Sequence, residues 1–358
     1  MKKIFLSRPN IDSNEIISTK KVLNSGFLTE GKVTQNFENI VAKYVKAKHA
    51  IATSSGTAAL HCAFESLNIS GKKILVSDFT FPATVLAIEQ AGGIPILADV
   101  EKESMNISRS IVENSLNKEI EIICPVSLFG NSLEKDFYNL QKNNITIVED
   151  AATNLGTTLG TKHVGNLADI TCFSFHPRKI ITTGEGGMVT TNSARLMQKI
   201  RSFKFFGKKN SKFENNGINY KISDILSSIG IAQMKKIEPI IEKRIELAKI
   251  YDELLSKVGY IELQIPTKNS RHTYQSFVCT ITKKNFRNKL IFELSKKSIE
   301  TQIGTYAVHC LPYFKNCKKI NKLENSEFLY NNSISLPIHN QLSISDIERI
   351  CKEIKNIL

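Results

Sequence analysis

The chain has 358 residues, 41% of them hydrophobic and 23% charged, which is ordinary globular composition and enough length for one large domain with an appendage or for two domains. Its 48 Lys and Arg exceed its 34 Asp and Glu, but the surplus of +14 is scattered rather than gathered into an arm or stripe. That argues for a lysine-rich surface and small phosphorylated partners, and against nucleic-acid binding.

Seven cysteines without a C-x-x-C pair predict reduced, mostly buried thiols in a cytoplasmic protein. The apolar run in "MKKIFLSRPN" is too short for a signal peptide, and no stretch approaches the roughly 18 apolar residues of a membrane span.

In chain order, short apolar runs predict strands at 49–53, 73–77, 94–98, 121–127, 145–150, 169–175 and 187–191. Helix-like stretches such as "TAALHCAFESL" (57–67) and "SLEKDFYNLQKN" (132–143) lie between them. Alternation of this kind predicts an α/β fold with a largely parallel sheet covered on both faces. Residues 206–220 read as the most loop-like segment.

From residue 238 the pattern changes. Ile241, Ile245, Ala248, Tyr251 and Leu255 recur at helical spacing, predicting a long amphipathic helix. A strand-like "SFVCTIT", a helix over 284–297 and a final helix capped by Ser343 or Ser345 follow. The expected division is a large α/β domain, 1–240, and a smaller C-terminal α+β domain, 241–358.

Three stretches carry candidate chemistry. In "IATSSGTAAL" a strand runs through Ser54, Ser55, Gly56 and Thr57 into a helix, whose first turn offers unpaired N–H groups to a phosphate. In "ITIVEDAATNLG", Asp150 ends an apolar strand, where open α/β sheets bind ligands, while Glu149 points the other way. In "DITCFSFHPRKIITTGEGG", strand alternation puts Ser174 and His176 on one face, and Lys179 follows before a glycine-rich turn.

Taken singly, each of these reads as a helix cap or a surface side chain. Together and in this order they are what pyridoxal phosphate requires. A partly desolvated lysine amine becomes nucleophilic toward an aldehyde, a carboxylate keeps the pyridinium nitrogen protonated, and a helix start anchors the phosphate. Phe81, in "DFTFPAT", supplies an apolar face for the ring.

With these motifs the chain resembles the DegT/DnrJ/EryC1/StrS family of sugar aminotransferases, which are pyridoxal-phosphate enzymes of fold type I. The resemblance spans "LTEGKVTQNFE", "HAIATSSGTAALH", "VEDAATNLG", "FSFHPRKIITTGEGGMV" and "NYKISDI". It implies that Lys179 is the catalytic lysine bonded to the cofactor, Asp150 the partner of the ring nitrogen, and Gly56, Thr57 and Ser174 phosphate ligands. Phe81 is implied as the stacking residue, and Asn219 as a phosphate ligand reaching in from the other subunit of a homodimer with shared active sites.

Two positions depart from the family. Thr153 stands where His or Gln contacts the ring hydroxyl, and Phe206 replaces the histidine of an Arg-x-His-Gly segment. His309 is a candidate substrate contact, and no cluster has metal-ligand spacing.

The implied activity is transfer of an amine from glutamate to a keto group, at C4 by family frequency, of a nucleotide-linked deoxysugar bound for polysaccharide or lipopolysaccharide synthesis. A dehydratase, a cyclitol aminotransferase and a regulatory protein on the same scaffold are the other readings.

Overall fold

All seven predicted strands form, and they set the geometry of everything else. In the computed structural model, which describes residues 2–116, 119–210 and 212–358, they are β1 (His49–Thr53), β2 (Lys73–Ser77), β3 (Ile94–Ala98), β4 (Ile120–Cys124), β5 (Thr146–Asp150), β6 (Ile170–Ser174) and β7 (Gly187–Thr191). With Lys318–Lys319 at the edge they make an eight-stranded sheet, ordered β1-β7-β6-β5-β4-β2-β3 and then Lys318–Lys319. Neighbours are parallel except where β7 meets β1 and β6. The other strands therefore all deliver their C-terminal ends to one edge, and β7 begins there.

Side-chain alternation explains why these strands read as unbroken apolar runs. Ile74, Val76, Val148, Cys172 and Val189 pack with Ala59, Cys62 and Ala63 of the helix Gly56–Ser66. Leu75, Ile123 and Ile147 face the other way, against Val112, Phe137 and Leu140. Ala52, Phe173 and Met188 meet Phe37, Val41 and Ile241 on that second face. Each fully buried side chain of this kind contributes roughly 1.5–3 kcal/mol.

The expected helix over 132–143 is reduced to a 3-10 turn, Phe137–Asn143. Its start is pre-empted by side chains. Asn106 Nδ2 donates to the carbonyls of Asn131 (3.2 Å) and Ser132 (3.3 Å), and Thr267 Oγ1 donates to that of Ser132 (2.6 Å). Within 206–220, Lys208–Lys209 pairs with Lys212–Phe213 in a small hairpin; Ser211 lies outside the described residues.

The helix Ile237–Leu255 buries Ile241, Ala248, Tyr251 and Leu255, with Ile245 half-buried. Arg244 on the same helix is buried, and its Nη1 donates to the carbonyls of Tyr274, Gln275 and Ile338 at 3.2, 2.9 and 3.0 Å. A second, four-stranded antiparallel sheet is ordered Ile261–Leu263, Phe277–Ile281, Ser333–Leu336 and Gln302–Ile303. It packs with Ile4 and the helices Arg287–Lys296 and Ile344–Ile357, the latter capped by Ser343. No described helix is long and apolar enough to cross a membrane, and all seven cysteines are unpaired thiols, five of them buried.

The helix Lys32–Val45 starts at Gly31, which has no side chain to cap it. Asp224, at the start of the helix Asp224–Met234, supplies the cap from elsewhere in the fold. Its carboxylate accepts from the amides of Gly31 (2.8 Å), Val33 (3.2 Å) and Thr34 (2.9 Å) and from Thr34 Oγ1 (2.7 Å). Replacing Asp224 with Ala orphans these donors, and a loss of about 2–4 kcal/mol is expected in urea unfolding.

Candidate active site

The strand ends and the loops that follow them enclose a cavity of about 400 Å³ at the C-terminal edge of the main sheet. Ser55, Gly56 and Thr57 come from the turn after β1, and Phe81 and Thr84 from the segment after β2. Ser127 and Phe129 follow β4, Asp150 ends β5, and Ser174, His176, Arg178 and Lys179 end and follow β6. Gln275, Ser276, Gln302 and Thr305 close the far side from the C-terminal third of the chain.

At the helix start, Ser55 is the N-cap, and its side chain accepts from the Ala58 amide at 3.0 Å. The next amides belong to the first helical turn and have no intrahelical partner. Two glycines let backbone and side chains converge there. A Cβ on Gly56 would lie 2.9 Å from Ser174 Cβ, and one on Gly187 would lie 2.3 Å from the Ser55 carbonyl oxygen.

Asp150 is buried. Its Oδ2 accepts from Thr84 Oγ1 at 2.6 Å and its Oδ1 from the Ala152 amide at 3.1 Å. Burial raises its pKa above the usual carboxylate range, while Thr84, Ala152 and the positive charge of Lys179 pull it back. The neighbouring Glu149 faces away from the cavity, as strand alternation requires. It accepts from Ser127 Oγ (2.8 Å) and Tyr138 OH (3.1 Å), and burial pushes it up to about 7.

Lys179 sits in a turn closed by its own amide on the His176 carbonyl, at 2.8 Å. Removal from water pushes its amine down to about 8, against the opposing pull of Asp150. Among the described residues none lies within hydrogen-bonding or ion-pair distance of its Nζ.

The cavity thus brings together Gly56, Thr57, Phe81, Asp150, Thr153, Ser174 and Lys179. Phe81 is 63% exposed, with an edge contact to Tyr306. Thr153 Oγ1 lies 3.0 Å from the Ser127 carbonyl and 2.8 Å from Asn154 Oδ1, so its one proton is engaged within the protein and only lone pairs remain for a ligand.

Two expected residues lie elsewhere. Asn219 is exposed, outside the cavity lining, and accepts from Lys221 Nζ at 2.7 Å. His309 also lies outside the lining. Its Nδ1 is 2.6 Å from Oδ2 of the buried Asp78, whose other oxygen accepts from the His309 amide at 2.9 Å, and this carboxylate raises the pKa of the imidazole.

Thr84, Arg178, Gln275 and Gln302 are among the lining residues that the motifs did not single out. Thr84 and Arg178 fall inside quoted segments, "DFTFPAT" and "FSFHPRK". Gln275 and Gln302 have no local signal, because they reach the cavity only through the fold of the C-terminal third.

The chain belongs to the DegT/DnrJ/EryC1/StrS aminotransferase family, whose profile matches residues 9–355. It is 33% identical to the UDP-4-amino-4,6-dideoxy-N-acetyl-β-L-altrosamine transaminase of Campylobacter jejuni, over 98% of this chain and 96% of that protein. It is 31% identical to the GDP-perosamine synthase of Vibrio cholerae, over 97% of each. Among solved structures it is similar to Helicobacter pylori PseC, an aminotransferase of pseudaminic acid biosynthesis, with a TM-score of 0.94 and 27% identity over 99% of each chain.

The donor set fits pyridoxal phosphate. An aldehyde carbon needs an amine that is neither paired nor firmly protonated, which describes Lys179. A basic ring nitrogen needs a fixed carboxylate, and a phosphate needs a helix start with room for close approach, which Gly56 leaves beside Ser174. Among the described residues no group of His, Cys, Asp and Glu is arranged to hold a metal ion.

The Thr84 hydroxyl stabilises the charged form of Asp150, so Thr84→Val should raise that pKa further. Cofactor retention, followed by visible absorbance between about pH 4 and pH 8, should then fail on the acid side at a higher pH than in the wild type.

Proposed function

We propose that this aminotransferase uses pyridoxal 5'-phosphate to move an amine from glutamate to the C4 keto group of a nucleotide-linked deoxysugar. The observation that carries the reading is the placement of Lys179, whose amine has no partner among the described residues, in the same cavity as the buried carboxylate of Asp150; burial pushes that amine down to about 8. The cofactor, when bound, supplies a conjugated ring that accepts the electrons released at the amine-bearing carbon.

The protein's own groups do the rest. The amides of Gly56 and Thr57 and the Ser174 hydroxyl hold the phosphate at the helix start. Asp150 keeps a positive charge on the ring nitrogen, and the bonds from Thr84 and Ala152 fix which way its oxygens face. Phe81 covers one face of the ring, and Thr153 offers a lone pair to the ring hydroxyl. Lys179 anchors the cofactor and, once released, accepts a proton at Nζ from the α-carbon of the donor; the same nitrogen later returns a proton to the sugar carbon. A pKa near neutrality suits a group that must do both.

Two of the relatives are named for sugars carried on different nucleotides, UDP and GDP. The proposed product is a nucleotide-linked 4-amino sugar for polysaccharide or lipopolysaccharide assembly, made in the cytoplasm. His309 lies outside the cavity lining, and with its imidazole oriented by Asp78 it is the proposed contact for the sugar beyond the cofactor. The proposed smaller domain, residues 241–358, closes the cavity through Gln275 and Gln302 and lends Lys318–Lys319 to the edge of the main sheet.

The active form is a homodimer in which Asn219 reaches the phosphate in the other subunit's cavity. Its exposure, its absence from its own cavity's lining and the exposed Phe206, Phe213 and Ile218 on the same loop support this.

Incubation with glutamate and a panel of 4-keto-6-deoxy sugar nucleotides should yield an amino sugar and 2-oxoglutarate. Lys179→Ala should lower turnover by on the order of 10³-fold or more. Release of a dehydrated sugar carrying no amine would overturn the reading. Mixed dimers of Lys179→Ala and Asn219→Ala chains should regain activity, since one of their two sites then carries neither change; sites built within one subunit would stay inactive.

A further inference from the structure

The cavity holds a second cation that the chemistry at Lys179 does not use. Arg178 precedes Lys179, is half-buried and lines the same cavity. Among the described residues no carboxylate lies within ion-pair distance of its guanidinium. Its one hydrogen bond from that group runs from Nη1 to Gln302 Oε1, at 3.0 Å.

Backbone bonds fix the base of the side chain. The Arg178 carbonyl accepts from Gln275 Nε2 at 2.6 Å, and its amide donates to His176 Nδ1 at 3.3 Å. Gln275 is held in turn by the buried Arg244, which takes its carbonyl. A guanidinium presents five N–H donors in a planar fork, and among the described residues only Gln302 accepts from them, while burial disfavours its charge. Such a group calls for an anion supplied from solution.

We propose that Arg178, steadied by Gln302 and Gln275, is the subsite that binds a carboxylate of the amino donor. This rests on the aminotransferase reading. Both substrates are anionic, but they differ in where the charge lies. In an amino acid the α-carboxylate is one bond from the carbon that reacts. In a nucleotide sugar the whole hexose separates the C4 keto carbon from the diphosphate. Arg178 lines the same cavity as Lys179, and its positive charge is near enough to lower that amine's pKa, which matches the first spacing. Gln302, neutral and able to donate as well as accept, keeps the guanidinium partnered when the sugar replaces the donor.

The test uses holoenzyme carrying Arg178→Gln or Arg178→Lys, with the visible cofactor band and circular dichroism as checks on folding. In the glutamate half-reaction without sugar, Arg178→Gln should raise the concentration needed for half-maximal rate by about 10- to 100-fold. Arg178→Lys should fall between it and the wild type, and KM for the nucleotide sugar should stay within about twofold.

A rise confined to the nucleotide-sugar KM would overturn the proposal, as would a fall in rate with no change in glutamate dependence, the mark of a group that only positions Lys179. If wild-type enzyme fails to react with any amino acid, the aminotransferase reading fails separately. Calorimetric binding of the unreactive dicarboxylate succinate then decides the subsite: weaker binding in Arg178→Gln supports it, and equal binding overturns it.

Discussion

The structure depends on one close approach. At Gly187 the start of β7 touches the backbone at Ser55 and Gly56 so tightly that a Cβ would come within 2.3 Å of a carbonyl oxygen. Gly56 presses against Ser174 at the end of β6 in the same way. Together these contacts seat the N-terminus of one helix beside the strand that leads to Lys179. An anion site and an amine, far apart in the chain, are thereby held in one cavity. Side chains at either glycine would force the two apart, however well the rest of the sheet packed.

The reversal of β7 is the second half of that constraint. A parallel strand there would start at the opposite edge of the sheet, and the turn joining β6 to β7 would have to cross the whole layer. Running antiparallel, β7 begins where β6 ends, so the intervening segment with His176, Arg178 and Lys179 stays at the ligand-binding edge. Burial then does chemical work at that edge. It lowers the amine of Lys179 to about 8, where a group can both take and return a proton, and it also raises the carboxyl of Asp150, which must stay charged. Thr84 and Ala152 hold Asp150 back from going too far.

The C-terminal third contributes less chemistry and more enclosure. Arg244 spends its charge on three backbone carbonyls, one of them that of Gln275. Gln275 in turn bonds the carbonyl of Arg178, so a buried cation outside the cavity lining helps to set the wall beside the lysine. The Asp224 cap works in the same spirit, joining two helices that are distant in sequence through hydrogen bonds that neither could make alone.

Much of this was legible in the order of residues. Apolar runs with turn residues between them marked the seven strands, because strands buried on both faces are hydrophobic at every position. The lysine block, the strand-end aspartate and the hydroxyl–glycine helix start pointed to a cofactor only through their combination and order, since each alone reads as a cap or a surface side chain. Helix 132–143 misled, since its periodicity was sound and only the distant side chains of Asn106 and Thr267 claimed the carbonyls it needed. Amino-acid order by itself determined the strands, which depend on neighbours a few residues away, and the family, which depends on the order of several short motifs. Tertiary structure alone decided that Thr84 steadies Asp150, that Thr153 has no proton to spare, and that Gln275 and Gln302 meet Arg178, because those pairings join parts of the chain that only folding brings within hydrogen-bonding reach.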